Sequence, residues 1–114
     1  MNAILIDSKN RIVTKIEITE DIKDIQQALD CQIFTTGTYL ENGDVVFVDD
    51  EGLINGTDHF FAYSGAHQPF AGNGLIVGTG PEGETVDCEV SLLEVASKVK
   101  FYDINELALL LDTF

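Results

Sequence analysis

Two stretches of this 114-residue chain carry residue types that could do chemistry at a recognisable spacing. The first, Gly78-Thr-Gly80-Pro-Glu-Gly83, matches the G-x-G-x-x-G pattern of dinucleotide-binding loops and follows the apolar residues 75–77. Such a loop needs a helix directly after it, because the helix N-terminus holds the phosphates. Here Glu84-Thr-Val-Asp87 follows instead, and its acids oppose an anion. The sequence therefore predicts a hairpin loop at residues 78–83 and no cofactor.

The second stretch, Asp49-Asp50-Glu51-Gly52, has the composition of a calcium-binding loop. An EF-hand loop places oxygen ligands at its first, third and fifth positions before a glycine, and an acid six residues after that glycine. With Gly52 as the glycine, Asp58 takes the last position but Phe47 takes the first. Phenylalanine has no side-chain oxygen, so the EF-hand pattern fails. We predict no metal site, with weak binding of a divalent ion by these acids as the alternative.

The histidines and cysteines form no catalytic or zinc-binding pattern. His59 and His67 lie eight residues apart, and Cys31 and Cys88 are remote from both, unlike the short spacings of zinc ligands. A nucleophile and a base would have to come from Ser64 or Cys88 with His67, and no sequence feature brings them together. We predict no catalytic residues. Both cysteines are expected to be free, partly buried thiols, with a disulfide or a metal pair as the minor alternative.

Charge is the strongest feature of the composition, at −14 with 20 acids against 6 bases. Residues 24–97 contain no Lys or Arg, yet they hold thirteen acids. Those acids are Asp24, Asp30, Glu41, Asp44, Asp49, Asp50, Glu51, Asp58, Glu82, Glu84, Asp87, Glu89 and Glu94. Nucleic-acid phosphates and anionic membranes both require a cationic surface, so direct binding to either is not expected. A basic protein surface or a metal cation fits this charge, and solubility alone is the alternative explanation.

The elements that position these residues begin with a predicted hairpin and a helix. Residues 3–7 form an apolar strand, and residues 12–18 alternate in polarity, which predicts one core-facing side. The residues on that side are Ile12, Thr14, Ile16 and Ile18. Residues 20–29 carry Ile22, Ile25 and Leu29 at helical spacing. Thr19 is the expected N-cap of this helix.

A second predicted hairpin carries the acidic run. Residues 31–40 and 45–48 read as strands joined at Asn42-Gly43, and Gly37 is a possible bulge. Residues 45–48 are apolar on both faces, which predicts a central strand: Val45 and Phe47 share one face, Val46 and Val48 the other. The acids at 49–51 must then face water at the mouth of this strand, since unpaired carboxylates are not buried.

The last third of the chain adds a buried strand at residues 75–77, a possible strand at residues 85–90 and a helical end. Ser91 with Glu94, and Asp103 with Glu106, are two capping boxes. Apolar residues at helical spacing follow each box, and the second stripe contains Ile104, Leu107, Leu110, Leu111 and Phe114. This stripe either packs on the sheet or forms a homodimer contact.

These patterns predict a single α+β domain over residues 1–114, with a mixed or mostly antiparallel sheet and helices packed on one face. The sequence has no N-terminal signal pattern and no apolar run of about 18 residues. We therefore expect a cytoplasmic protein that does not enter a membrane.

Several short motifs are similar to those of a known family. They are Ala3-Ile-Leu-Ile-Asp7, Val48-Asp-Asp-Glu-Gly-Leu53, Gln68-Pro-Phe-Ala-Gly-Asn73-Gly-Leu-Ile-Val-Gly78 and Gly83-Glu-Thr85. The chain resembles an uncharacterised family of small acidic proteins from bacteria, phages and conjugative elements, known as a domain of unknown function. The resemblance implies no catalytic residues. It does imply a mobile-element setting, where small acidic proteins often disarm host defences and some imitate nucleic acid.

The leading hypothesis is a non-enzymatic interaction protein that inhibits a host defence or nucleic-acid-binding protein by occupying its basic surface, as a DNA mimic does. The residues assigned to this contact are Asp49, Asp50, Glu51, Asp58, Glu82, Glu84, Asp87 and Glu89. The alternative is a module that binds or sequesters a small ligand in a pocket under residues 60–73, lined by Tyr63, His67 and Asn73. The first hypothesis predicts a contiguous acidic face, and the second predicts an apolar pocket with convergent polar groups.

Overall fold

The computed structural model describes residues 1–112, which form nine strands and three helices. The strands are β1 (Asn2–Asp7), β2 (Ile12–Glu17), β3 (Phe34–Tyr39), β4 (Val45–Asp49), β5 (His59–Tyr63), β6 (Phe70–Ala71), β7 (Gly74–Thr79), β8 (Thr85–Val86) and β9 (Val99–Asp103). The helices are α1 (Ile22–Leu29), α2 (Leu92–Lys98) and α3 (Ile104–Asp112). The predicted α+β class is confirmed, and every strand pair in this range is antiparallel.

The larger sheet has the strand order β2-β1-β7-β4-β3, with β8 paired to β7. Both predicted hairpins are present, and the buried strand β7 lies between them. Strand β4 is therefore central, as expected, and the register of β3 shifts between Thr36 and Thr38, which places the bulge at Gly37. A smaller sheet has the order β6-β5-β9.

The larger sheet is apolar on both faces, so both faces need a cover. Ile4, Ile76 and Val46 form one row across three strands, and Leu5, Leu75 and Phe47 form the next row on the opposite face. The first face packs against the smaller sheet and α2, in a cluster that includes Phe61, Tyr63, Phe70 and Val95. The second face packs against Ile25 and Leu29 of α1. The helices are therefore divided between the two faces instead of sharing one.

The edge strand β2 and the start of α1 differ from the sequence predictions. Ile16 and Ile18 pack on the α1 cluster, as expected, but Ile12 is 51% exposed. Val13 packs against the cluster on the other face, because β2 lies at the edge of a sheet with two covered faces. Helix α1 is capped by Asp21, whose carboxylate accepts a hydrogen bond from the backbone N–H of Lys23. Thr19 instead donates its hydroxyl to Asp24.

The segment after α2 was expected to be helical, but residues 99–103 form β9. Pairing with β5 along its whole length provides this strand with a hydrogen-bonded partner that no local pattern reveals. The second capping box is present as predicted: Glu106 N–H donates to Asp103 at 2.7 Å, and Asp103 N–H donates to Glu106 at 3.1 Å.

Part of the predicted apolar stripe of α3 packs on the smaller sheet, where Leu107 is buried and Leu110 half-buried against Phe60, Ala71 and Tyr102. Ile104, the first residue of the stripe, is instead 49% exposed. The expected contributions of Leu111 and Phe114 lie outside the side chains that the structure describes. Arg11, in the β1–β2 turn, forms an ion pair with Glu106 and so links the first hairpin to α3.

Candidate functional site

The eight acids assigned to partner binding lie at opposite ends of the larger sheet. Because β4 and β7 are antiparallel, with Val48 opposite Gly74 and Val45 opposite Val77, the end of β4 is far from the end of β7. The separation is roughly the length of a five-residue strand, about 17 Å. We call Asp49, Asp50, Glu51 and Asp58 the Asp49 end, and Glu82, Glu84, Asp87 and Glu89 the Glu89 end. The acids therefore form two groups, not one contiguous face.

At the Asp49 end, hydrogen bonds to the carboxylate of Asp49 fix the conformation of the turn that follows β4. Asp49 accepts hydrogen bonds from the backbone N–H of Glu51 at 2.8 Å and from the side-chain amide of Asn55 at 3.1 Å. A carboxylate that caps the backbone two residues ahead is an Asx turn. The carboxylates of Asp50 and Glu51 accept no hydrogen bond within residues 1–112; Asp50 is exposed and Glu51 is half-buried.

An open cleft of about 460 Å³ adjoins this turn. Four acids line this cleft: Asp49 and Asp58, and in addition Asp7 and Asp30. Two basic residues, Lys9 and His59, also line it. The ring Nδ1 of His59 lies 3.3 Å from the carboxylate of Asp58. Ser8 and Asn73 fix the cleft wall: the Ser8 N–H donates to the Asn73 side chain at 3.0 Å, and its buried hydroxyl donates to the carbonyl of Gly72.

Two large apolar side chains are exposed next to these acids. Leu53 is 79% exposed and Ile54 is 81% exposed, both in the turn between β4 and β5. They line a second open groove of about 380 Å³ with Asp49, Asp50 and Phe70. The Asp49 end thus combines charge with apolar surface, which is the usual make-up of a protein-binding patch.

At the Glu89 end, two of the four carboxylates serve the fold. Glu84 accepts a hydrogen bond from the N–H of Glu82 at 3.0 Å, which closes the loop. Asp87 accepts one from the N–H of Asn2 at 2.7 Å. The carboxylates of Glu82 and Glu89 accept no hydrogen bond from the part of the chain that the structure describes.

Sequence reasoning missed Asp44, which is 3% exposed and organises the Glu89 end. One carboxylate oxygen accepts hydrogen bonds from the N–H groups of Glu89 and Val90, both at 2.9 Å, and from the Asn42 side chain at 3.1 Å. These bonds hold Glu89 and Val90 against the β3–β4 turn, and β8 stops at Val86 where a strand to residue 90 was expected. The only signal in the sequence was an acid directly after the Asn-Gly turn and before a buried strand.

The acidic segment receives little neutralisation from the chain itself. Of the thirteen acids in residues 24–97, two form an ion pair within the described residues: Asp58 with His59, and Glu94 with Lys98 at 4.0 Å. The former is an ion pair only when His59 is protonated.

The pocket predicted from Tyr63, His67 and Asn73 does not form. Tyr63 lines a cavity of about 280 Å³ with residues 38–42, Glu94 and Lys98, whereas Asn73 lines the cleft at the Asp49 end. His67 is exposed in a bend and lines neither. Burial raises the pKa of the Tyr63 phenol, so the group stays protonated near neutral pH.

The cysteines lie on opposite faces of the larger sheet, Cys31 against the α1 cluster and Cys88 against the other. Both are free thiols, as expected. Burial, reinforced by the charges of Asp49 and Asp30, raises the pKa of Cys31 to about 11, and burial also raises the pKa of Cys88. Since the thiolate is the reactive form, neither is activated as a nucleophile.

The glycine-rich motif at residues 78–83 lies in the β7–β8 hairpin, as predicted: Gly78 and Thr79 end β7, and residues 80–84 form the loop. Gly80 N–H donates to the carbonyl of Glu84 at 2.7 Å, and Gly83 adopts a φ of 83°, which favours glycine. Within residues 1–112, no three or more His, Cys, Asp or Glu side chains are arranged to hold a metal ion.

Residues 1–99 match the family described as Domain of unknown function (DUF3846). The chain belongs to the DUF3846 family. The match extends from β1 to the first residue of β9 and so includes both ends of the larger sheet. No curated protein sequence matches the chain, and no solved structure does. No helix among the described residues of this DUF3846 protein is both long and apolar enough to span a membrane.

Proposed function

We propose that this protein is a non-enzymatic interaction protein that binds a basic surface of another protein through its Asp49 end. The resemblance in sequence suggests a mobile-element setting, in the cytoplasm of a bacterial or phage-infected cell. The partner in this proposal is a host defence or nucleic-acid-binding protein, whose basic groove the acids would occupy in place of DNA.

The observation that carries the proposal is the unneutralised charge of residues 24–97. Of the thirteen acids, two form ion pairs with bases of the described chain, and the others leave a strong negative electrostatic potential at the surface. Such a field accelerates encounter with an oppositely charged partner and repels partners of like charge. Because the charges are exposed, salt screens them, and the proposed complex weakens as ionic strength rises.

The Asp49 end is preferred over the Glu89 end because it adds apolar contact to charge. Leu53 and Ile54 project beside Asp50 and Glu51, whereas a single large apolar side chain, Val86 at 36% exposure, is exposed between residues 80 and 89. Interfaces gain stability from a desolvated apolar centre, with charges at the rim that set orientation and rate.

Two charge-matched variants test this assignment. Asp50→Asn with Glu51→Gln removes two free carboxylates from the Asp49 end, and Glu82→Gln with Glu89→Gln removes two from the Glu89 end, so each changes the formal charge from −14 to −12. Exposed ion pairs contribute about 0.2–1 kcal/mol each, so the first variant should lose about 1 kcal/mol, or roughly fivefold in affinity.

The assay immobilises each variant, passes host lysate over it and elutes with a salt gradient. A retained basic protein that leaves the Asp50/Glu51 variant at lower salt than the Glu82/Glu89 variant supports the assignment. Equal elution from both variants would show that the net charge acts as a whole, and retention of no basic protein would contradict the proposed function.

A further inference from the structure

We infer that the outer edge of β3 accepts an extended segment of a basic partner, which adds to the larger sheet as an antiparallel or parallel strand. This inference rests on the proposed function and specifies how the partner would be held. Strand β3 is the last strand of its sheet, and β4 is its only hydrogen-bonded strand neighbour in the described chain.

The register identifies the free backbone groups of this edge. Asp50 N–H donates to the carbonyl of Ile33, and Leu40 N–H donates to the carbonyl of Asp44, so Ile33 and Leu40 face β4. In an antiparallel ladder, alternate residues face the neighbouring strand. The N–H and carbonyl groups of Phe34 and Thr36 therefore point outward before the bulge, and those of Tyr39 point outward after it.

This edge lacks the charged and proline residues that usually protect an open strand. Residues 34–39 are Phe-Thr-Thr-Gly-Thr-Tyr, without Lys, Arg, Glu, Asp or Pro. At the opposite edge, β2 carries Lys15 and Glu17, and α2 packs beside it. The bulge at Gly37 interrupts the β3 ladder, so an added strand would pair with Phe34 and Thr36 before the bulge and with Tyr39 after it.

The charges around β3 select the occupant. Asp30, Asp50 and Glu51 lie at its Phe34 end, and Glu41 and Glu94 lie beside its Tyr39 end. An extended segment with cations flanking about four uncharged β-branched residues would pair with both groups of acids. Two copies of the chain each carry a formal net charge of −14, so like-charge repulsion opposes pairing of β3 with a second copy.

The probe is a synthetic peptide, Lys-Arg-Thr-Val-Thr-Val-Lys-Arg, titrated into the full chain by fluorescence anisotropy. A control peptide of the same sequence and charge carries N-methyl groups on its two central residues, which blocks both of its hydrogen-bonding edges. We expect the control to bind at least tenfold more weakly. We also expect slower amide hydrogen exchange at Thr36 in the presence of the first peptide.

The protein variants are Thr36→Pro, which removes an outward-facing N–H without removing a bond to β4, and Thr36→Ala, which keeps it. Thr36→Pro should bind the first peptide at least tenfold more weakly than Thr36→Ala. Equal binding of the two peptides, still weakened by salt, would overturn strand addition and leave the proposed function standing. Failure of both peptides to bind, or sedimentation showing a dimer that Thr36→Pro dissociates, would also overturn it. If Thr36→Pro does not fold, the peptide pair decides the result.

Discussion

Replacing Asp44 with alanine tests whether one buried carboxylate joins the two halves of the fold. One of its oxygens accepts hydrogen bonds from the N–H groups of Glu89 and Val90 at 2.9 Å, just before Ser91, the N-cap of α2. Asp44→Ala removes this acceptor and leaves two N–H groups without a protein partner, one of them on the buried Val90.

The magnitude follows from those bonds. A hydrogen bond to a charged group contributes about 1.5–3 kcal/mol, and a buried donor left unsatisfied costs about 1–3 kcal/mol. Relief of the desolvated charge, and water entering the space, offset part of the sum. We expect a loss of about 2–4 kcal/mol from a total that is about 6–17 kcal/mol for a chain of this length. The corresponding fall in Tm is roughly 8–20 °C.

Urea unfolding followed by circular dichroism measures this loss. Glu41→Ala is the matched control, because Glu41 lies in the same β3–β4 connection and its exposed carboxylate accepts no hydrogen bond within residues 1–112. The control should stay within about 0.5 kcal/mol of the parent. If Asp44→Ala also stayed within that limit, the anchoring role of Asp44 would be refuted.

Two further predictions concern close packing and pH. Gly74→Ala places a Cβ 2.6 Å from Cζ of Phe61, so we expect it to lower the free energy of unfolding in urea by about 1–3 kcal/mol. The control, Thr79→Ala, changes an exposed residue at the end of β7 and should leave that free energy unchanged. Equal stability of the two variants would contradict the close packing of Gly74 on Phe61. The hydrogen bond from Arg11 lowers the pKa of Glu106, so its stabilisation is present above the ordinary carboxyl pKa of about 4.3 and is lost as pH falls through the lower, folded value. The Tm difference between the parent and Glu106→Gln should therefore shrink between about pH 6 and pH 2, and a difference that grew on acidification would refute the assignment.

Local patterns were sufficient for the two hairpins and for the caps of α2 and α3, but not for the cap of α1, where Asp21 takes the place expected for Thr19. Asn42-Gly43 and the two-sided apolar run at residues 45–48 predicted a central strand, and the structure confirms both faces. The N-cap at Ser91 and the capping box at Asp103 were also confirmed, because these bonds join residues three apart in sequence. These features share one property: the residues that determine them are neighbours in sequence.

Features determined by distant residues were missed or misplaced. Val99 continues the helical spacing of α2, yet residues 99–103 form a strand because they pair with β5, whose residues lie 36–44 positions earlier in the chain. The role of Asp44 depends on Glu89 and Val90, 45 and 46 residues away. The interaction hypothesis required a contiguous acidic face, which the sequence could not show, and the antiparallel register of β4 and β7 separates the acids into two ends. Charge along a chain does not show which acids converge in space.

The proposal that the acids replace DNA on a basic surface is tested most directly by competition. The basic protein retained on the immobilised chain is bound to a fluorescein-labelled DNA duplex, and the free chain is titrated in at several salt concentrations. We expect the chain to displace the DNA, the displacement to weaken as salt rises, and the Asp50/Glu51 variant to displace it less well than the Glu82/Glu89 variant. A ternary complex of the chain, its partner and DNA would show that the acids do not replace DNA on the basic surface.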